Sequence, residues 1–228
     1  MRVLARSPTC EPMSLLLAQK RVAALSDVIA GLPPTVAVFS APQVVMDEIV
    51  GFPIHRGVLA LGRRRERPSA DALLERLGDD ALVLALCGIG NHDNMGGLFR
   101  NAAAFGVDAV LVDSDCCDPL YRKAIRVSVG AALLTPFARL EVDGDLLALL
   151  ERHKLAPVAL SPAGETRLSD LKREPRMAAI LGSEGPGLPS SLLARARTVR
   201  IPMAAGFDSL NVAVTAGVVL HQLAVSRS

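Results

Sequence analysis

The C-terminal sequence joins a polar loop to an apolar helix: IPMAAGFDSLN at residues 201–211 runs directly into VAVTAGVVLHQL at 212–223. Asp208 or Ser209 can cap the helix that follows the loop. The helical run is almost wholly apolar, which predicts a buried helix. The side chains of Ser209 and Asn211 at its mouth need hydrogen-bond partners, and a bound ligand is one candidate. An ordinary capped core helix explains the same pattern equally well.

Length and composition predict a soluble, cytoplasmic protein of one or two domains. The chain has 228 residues, of which 50% are hydrophobic, enough for a substantial core. No apolar run reaches the ~18 residues that cross a bilayer, and the N-terminus does not have the form of a signal peptide. The four cysteines form no C-x-x-C pair, which is typical of structural thiols in a reducing compartment. The four histidines show no metal-ligand spacing, so no metal site is predicted.

Charge is distributed in patches rather than over the whole surface. The formal net charge is only +2, which argues against a protein covered in basic residues but permits local basic sites. Each patch is compatible with a solvated face or with a binding surface. With no Trp and one Tyr, the composition argues against a surface built on base stacking. The patches are Arg63, Arg64, Arg65 and Arg67; Arg122, Lys123 and Arg126; and Arg195, Arg197 and Arg200.

The order of strands and helices predicts two domains of α/β class. Residues 1–66 form a thin α/β unit that is marginal for burying its own core. Residues 67–79 are charged, contain a proline and end in a short amphipathic helix, which indicates a linker. From 80 to 228, continuous apolar strands alternate with helices, as in a mostly parallel sheet covered on both faces. Ligands of such sheets bind beyond the carboxyl ends of the strands, where the unusual loops of this chain fall.

The first such loop and its helix have the sequence CGIGNHDNMGGLFRN, residues 87–101. The dinucleotide-binding pattern fails here because Asp93 occupies its sixth position. Gly96 and Gly97 lie on the same helical face as Arg100. Bare backbone beside a guanidinium suits the binding of a phosphate or a carboxylate. Tight helix packing at the two glycines, with Arg100 as a surface residue, is the alternative.

The second loop, GSEGPGLP at residues 182–189, follows a predicted buried strand. Gly182 and Gly187 have the spacing of a phosphate-binding loop, but a Leu-Pro pair replaces the required Lys-Ser/Thr, so that motif is absent. Three glycines at the end of a strand indicate that a ligand or another backbone approaches closely. Glu184 among them could accept hydrogen bonds or pair with Arg100.

In this order, the three loops resemble the SpoU/TrmH group of the SPOUT superfamily, RNA ribose 2′-O-methyltransferases that use S-adenosylmethionine. The resemblance rests on the segments NHDNMGGLFRNAAAFG, LGSEGPGL and IPMAAGFDSLNVAVTAG, which cover most of residues 81–228. The resemblance implies a parallel-sheet domain with a deep trefoil knot, working as a homodimer. Residues 1–66 are similar to the small ribosomal-protein-like RNA-binding domain of many members. Those members usually have an extra strand and helix before the position of Met1, so this domain is expected to be truncated, or its start misassigned.

Site residues follow from the resemblance by motif match. It implies that the adenosine site is lined by Gly182, Ile201 and Leu210, mainly through backbone groups, with Met203 beside them. The polar active-site positions are Asn94, Arg100, Glu184, Ser209 and Asn211. The RNA backbone would be contacted by Arg63, Arg64, Arg65, Arg122, Lys123 and Arg126. No metal or membrane partner is implied.

The resemblance also implies a separate role for each polar residue of the site. Arg100 would organise the ribose and its phosphate, because a guanidinium with a pKa above ~12 cannot ordinarily act as a base. The acceptor of the hydroxyl proton stays open. Ser209 and Asn211 would orient Arg100 or the ribose, and Glu184 would hold Asn94 or Arg100. Two other readings remain: a catalytically inactive RNA-binding protein of the same fold, and a generic α/β nucleotide-binding enzyme.

Overall fold

The computed structural model describes residues 1–142, 144–205, 207 and 209–225. The chain divides into two compact units, residues 1–66 and 67–228. None of the helices in the described ranges is both long and apolar enough to cross a membrane.

The first unit is a three-stranded sheet with two short helices. Its strand order is β2-β1-β3, with β1 parallel to β2 and antiparallel to β3. Leu15, Leu17 and Met46 are fully buried in its small core. Gly51 ends the helix over residues 43–50 in the left-handed region, with φ of 78°. The elements are β1 (Cys10–Ala18), α1 (Ser26–Ala30), β2 (Ala37–Ala41), α2 (Gln43–Val50) and β3 (Val58–Arg64).

The second unit is built on a seven-stranded sheet in which every neighbouring pair is parallel. The strand order is β6-β5-β4-β9-β7-β10-β8, which confirms the predicted α/β class. Its strands are β4 (Ala81–Cys87), β5 (Ala109–Val112), β6 (Phe137–Arg139), β7 (Ala156–Leu160), β8 (Thr166–Arg167), β9 (Arg176–Gly182) and β10 (Arg197–Arg200). Its helices are α3 (Ala70–Leu74), α4 (His92–Ala104), α5 (Arg122–Val127), α6 (Leu146–Arg152), α7 (Ser190–Leu193) and α8 (Val212–Val225).

Helices cover both faces of this sheet, because buried side chains on successive strand residues point to opposite sides. Helices α3 and α6 pack on the face that carries Val83 and Ala85. On the other side α4 contacts both α5 and α8, and α8 packs on β9. The sequence predicts a linker over residues 67–79, but Leu73 and Leu74 of α3 in that range are buried in the core of the second unit.

Helix α8 is buried on one side only. Val212, Ala216 and Val219 are buried, whereas Val214 and Val218 are exposed. The prediction of a buried helix is therefore correct for the side that faces the sheet and wrong for the other side. An apolar sequence predicts that a helix avoids water, but it does not show which partner covers each side.

Candidate active site

A cavity of about 560 Å³ opens at the carboxyl ends of β7, β9 and β10. Its volume lies in the range of roughly 300–1,000 Å³ found for small-molecule sites. The lining includes Gly182, Ile201, Met203 and Leu210, together with the polar residues Glu184, Ser209 and Asn211. Seven residues assigned from the family motifs therefore meet in one cavity at the sheet edge where ligands of parallel sheets bind.

Two glycines allow backbone segments to pass very close to each other beside this cavity. A Cβ atom on Gly182 would lie 2.6 Å from the carbonyl oxygen of Gly187. A Cβ atom on Gly164 would lie 2.7 Å from the carbonyl oxygen of Val199. The sequence indicates that a ligand or another backbone approaches the glycine-rich loop, and at Gly182 the neighbour is backbone. The loop after β9 folds back on the end of its own strand, where Gly187 N donates to the Ser183 carbonyl over 3.2 Å.

The side-chain amide of Asn211 joins the three loops. Its Nδ2 donates to Oδ1 of Asn94 over 2.8 Å and to Oε1 of Glu184 over 2.7 Å. Asn94 is on α4, Glu184 is in the loop after β9, and Asn211 immediately precedes α8. Glu184 thus accepts from Asn211, and no ion pair joins it to Arg100 in the described parts of the chain.

Asn211 also caps α8. Its Oδ1 accepts from the backbone N–H groups of Ala213 over 3.0 Å and Val214 over 3.3 Å. The sequence suggests Asp208 or Ser209 as the cap; Asp208 lies outside the described residues, and Asn211 performs this role. Because the cap needs an acceptor, the amide is oriented with its NH₂ group toward Glu184 and Asn94.

Arg100 is exposed on α4, with no hydrogen bond or ion pair to any residue that the structure describes. The backbone at Gly96 and Gly97, beside Arg100, is covered by neighbouring helices and is not open to a ligand. A Cβ atom on Gly96 would lie 2.6 Å from Cβ of Val127 on α5, and one on Gly97 would lie 2.7 Å from Cβ of Ala213 on α8. The glycines therefore serve close helix packing. At roughly 100° per residue, Arg100 lies on the open strip of α4 between these two helices, available to an anion from outside.

Asn101 is a site-supporting residue that the sequence interpretation missed. Its Nδ2 donates to the carbonyl oxygen of Ala213 over 2.6 Å. This bond ties the first turn of α8, and with it Asn211, to the helix that carries Asn94 and Arg100. An amide in a helix interior is a polar group that needs a partner, which was the available signal.

The predicted basic surface on α5 is exposed. Arg122, Lys123 and Arg126 all lie on its solvent side. Lys123 forms an ion pair with Asp93 of α4, with Nζ and Oδ2 2.6 Å apart. Exposed ion pairs of this kind contribute at most about 1 kcal/mol, so a phosphate can compete for Lys123.

The basic cluster of the first unit lies at the end of β3. Arg63, Arg64 and Arg65 are exposed, and Arg63 pairs with Glu11 across 3.5 Å. Whether these residues contact RNA stays a prediction.

The cysteines near the sheet edge are poorly suited to nucleophilic chemistry. Burial, with a smaller effect from Asp113, raises the pKa of Cys87 to about 12. Burial also raises the pKa of Cys116, whose Sγ accepts from Ile89 N over 3.3 Å. Both thiols are protonated at neutral pH, and a thiol is a much weaker nucleophile than a thiolate. No group of three or more His, Cys, Asp or Glu side chains in the described ranges could hold a metal ion.

Comparisons with known proteins agree with this geometry. Residues 81–221 match the model of the SpoU rRNA Methylase family. A protein of Mycobacterium bovis named "Uncharacterized tRNA/rRNA methyltransferase" is 38% identical, over 92% of this chain and 73% of its own length. The 23S rRNA (guanosine-2′-O-)-methyltransferase RlmB of Acinetobacter baylyi is 31% identical, over 86% of this chain and 81% of its own.

A solved structure shows the same fold over nearly the whole chain. The SpoU methyltransferase AviRb of Streptomyces viridochromogenes, in complex with the cofactor AdoMet, superimposes with a TM-score of 0.84. The match covers 99% of this chain and 87% of AviRb, at 18% sequence identity. The family match and the 38% identical relative confirm the resemblance found in the three loops. This chain belongs to the SpoU rRNA Methylase family.

Proposed function

We propose that this protein transfers a methyl group from S-adenosylmethionine to a ribose 2′-hydroxyl of tRNA or rRNA in the cytoplasm. The observation that carries the proposal is the pair of hydrogen bonds from Asn211 to Asn94 and Glu184. These bonds connect the cavity, which Asn211 and Glu184 line, to the polar residues of α4. The AdoMet complex of AviRb supports the choice of cofactor. The 2′-O specificity in the name of RlmB supports the choice of acceptor.

The residues that line the cavity fit this cofactor. Its walls are mainly apolar, which suits an adenine ring held by backbone groups. Glu184 is the one charged side chain among the described lining residues. A carboxylate is electrostatically matched to a positive sulfonium, whereas the phosphates of NAD or ATP would require the Lys or Arg side chains that this part of the lining does not have. The lining thus favours S-adenosylmethionine over the generic nucleotide-binding reading.

Catalysis then depends chiefly on alignment. S-adenosylmethionine, when bound, supplies a methyl group that is already activated for transfer. Arg100 binds the ribose phosphate of the substrate through its planar donor pair and holds the sugar at the mouth of the cavity. Asn211 fixes the orientation of Asn94 and Glu184, and Asn101 holds the helix turn that carries Asn211.

Asn211→Asp separates this positioning role from helix capping. Aspartate caps as well as asparagine, so we expect little change in the melting temperature. Its carboxylate cannot donate to Asn94 and repels Glu184, so methyl transfer should fall by up to about 100-fold. Asn211→Ala is the matched control, which loses the cap as well and should lose about 1 kcal/mol of stability. Thermal unfolding and initial rates on bulk RNA, measured for both variants, test these expectations. An Asn211→Asp enzyme with wild-type activity contradicts the positioning role of Asn211.

We also propose that the loops after β7, β9 and β10 form a trefoil knot. Strand β9 inserts between β4 and β7, and β10 inserts between β7 and β8. Such insertions make the late strands pass beside earlier connections, and the close approach of Gly164 to the Val199 backbone is one such passage. The first unit, on the same proposal, binds the RNA substrate through Arg63, Arg64 and Arg65.

The active form is proposed to be a homodimer that covers the open side of α8. Val214, Val218 and Val225 are 53%, 42% and 60% exposed, and their spacing places them on one side of the helix. A contiguous apolar stripe of this kind is typical of a protein interface. A second copy of the chain can cover it by two-fold symmetry.

Val218→Asp is expected to convert the dimer to a monomer, because the interface would bury an unpaired carboxylate. Light scattering coupled to size-exclusion chromatography measures the mass directly. Val142→Asp, at an 80% exposed valine outside α8, is the control and should leave the mass unchanged. A Val218→Asp protein that stays dimeric would exclude this stripe as the interface.

Calorimetric titration with S-adenosylhomocysteine tests the proposed function. Micromolar binding supports the cofactor site and is followed by mapping of methylated riboses on total RNA from a deletion strain. A folded dimer that binds no S-adenosylhomocysteine would instead favour the catalytically inactive RNA-binding alternative.

A further inference from the structure

We propose that His92 and Tyr121 form a stacking site for one nucleobase of the RNA substrate; this inference rests on the proposed function. The two ring centroids are 4.4 Å apart and the ring planes are inclined by 44°. Tyr121 is 43% exposed, so its ring is not part of the core. His92 is partly buried, and its ring packs against the tyrosine ring.

The position of this aromatic pair links it to both the site and the cationic surface. His92 is the first residue of α4, one helical turn or less from Asn94, which binds Asn211. Tyr121 immediately precedes α5, which presents Arg122 and Lys123 to solvent. The Lys123–Asp93 ion pair connects the two helices at the same point. An exposed ring and neighbouring cations are therefore held beside the polar cluster.

These two features match the chemistry of single-stranded RNA. Guanidinium and ammonium groups bind the phosphates, and an exposed aromatic face stacks on a base. The scarcity of aromatic residues in the chain argues only against an extended stacking platform, since one base needs one ring. Stacking tolerates all four bases because each has a π face. The pair therefore positions a base near the target ribose and does not identify its sequence.

Intrinsic fluorescence gives a direct test, because the chain contains one Tyr and no Trp. Tyrosine emission from the folded protein reports on Tyr121 alone. Titration uses a mixed-sequence single-stranded RNA oligonucleotide and, separately, an abasic ribose-phosphate chain of the same length. Emission, corrected for absorption with free N-acetyl-tyrosinamide, should be quenched by the RNA but not by the abasic chain. Equal responses to the two probes, or no response to either, would overturn the stacking site.

Substitutions at Tyr121 test its role in the reaction. Tyr121→Phe keeps the ring and should retain the wild-type KM for RNA. Tyr121→Leu keeps apolar bulk without the aromatic face and should raise that KM by about 5- to 30-fold. S-adenosylhomocysteine affinity and melting temperature should be unchanged in both. A Leu variant with the wild-type KM contradicts the inference.

The two tests separate this inference from the proposed function. A wild-type protein that neither binds S-adenosylhomocysteine nor methylates RNA refutes the proposed function, while base-dependent quenching would still support the stacking site. An active wild-type enzyme without base-dependent quenching has the opposite meaning: the function stands and the stacking site is wrong.

Discussion

Arg100→Ala is expected to lower methyl transfer to RNA by at least about 100-fold, a loss typical of removing one preorganised charged or polar donor from an active site. The same change should alter S-adenosylhomocysteine affinity by less than about twofold. Arg100 does not line the cavity and makes no hydrogen bond or ion pair to the described residues. Its removal therefore changes neither the cavity wall nor the hydrogen bonds among the site residues. Calorimetry and initial rates on bulk RNA, measured on the same preparation, check the two expectations.

Two matched variants sharpen this test. Arg100→Lys keeps the positive charge but loses the planar donor pair, and should recover only part of the activity. Arg126→Ala removes an exposed cation from α5 and should weaken RNA binding mainly at low salt and reduce the salt dependence of binding, since phosphate contacts act through counterion release. A tenfold loss of cofactor affinity in Arg100→Ala would assign the residue to the cofactor site and contradict the role proposed here.

The sequence predicts most of the sheet because continuous apolar runs mark strands that are buried on both faces. The apolar runs ALVLAL at residues 81–86 and MAAILG at 177–182 predict strands, and they coincide with the central strands β4 and β9. The edge strands β6 and β8 are missed, because they contain only three and two residues and have no periodicity to detect. Their pairing depends on the neighbouring strands, which is information from tertiary structure.

The site shows a similar division. Motif matching selects residues that the structure brings together, and Asn94, Glu184 and Asn211 are hydrogen-bonded across three loops. The sequence is less able to predict which of these residues are hydrogen-bonded to each other. The expected partners of Glu184 include Arg100, but Glu184 instead accepts a hydrogen bond from the amide of Asn211, which is oriented by its capping bonds. The sequence shows that the Asn101 amide needs a partner, but it does not identify that partner, which is the backbone carbonyl of Ala213.

Gly182→Ala is expected to abolish measurable S-adenosylhomocysteine binding. The new Cβ atom would lie 2.6 Å from both the Gly187 carbonyl oxygen and Leu188 N, far inside normal contact distance. Both neighbours are backbone atoms, so no side-chain rotation can relieve the overlap. The loop that carries Glu184 must move away from the end of β9, and with it a wall of the cavity. Overpacking of this kind also costs about 1–3 kcal/mol of stability, which thermal unfolding would measure.

Gly90→Ala provides the control, because it adds the same methyl group at the carboxyl edge of the same sheet. No atom would lie within 4 Å of its Cβ, and its backbone is not in the left-handed region, so cofactor affinity and stability should match the wild type. Loss of binding in Gly182→Ala alone would place the cofactor against the loop after β9. If Gly182→Ala binds normally, that loop can be displaced without consequence, and the adenosine site must be sought elsewhere along the sheet edge.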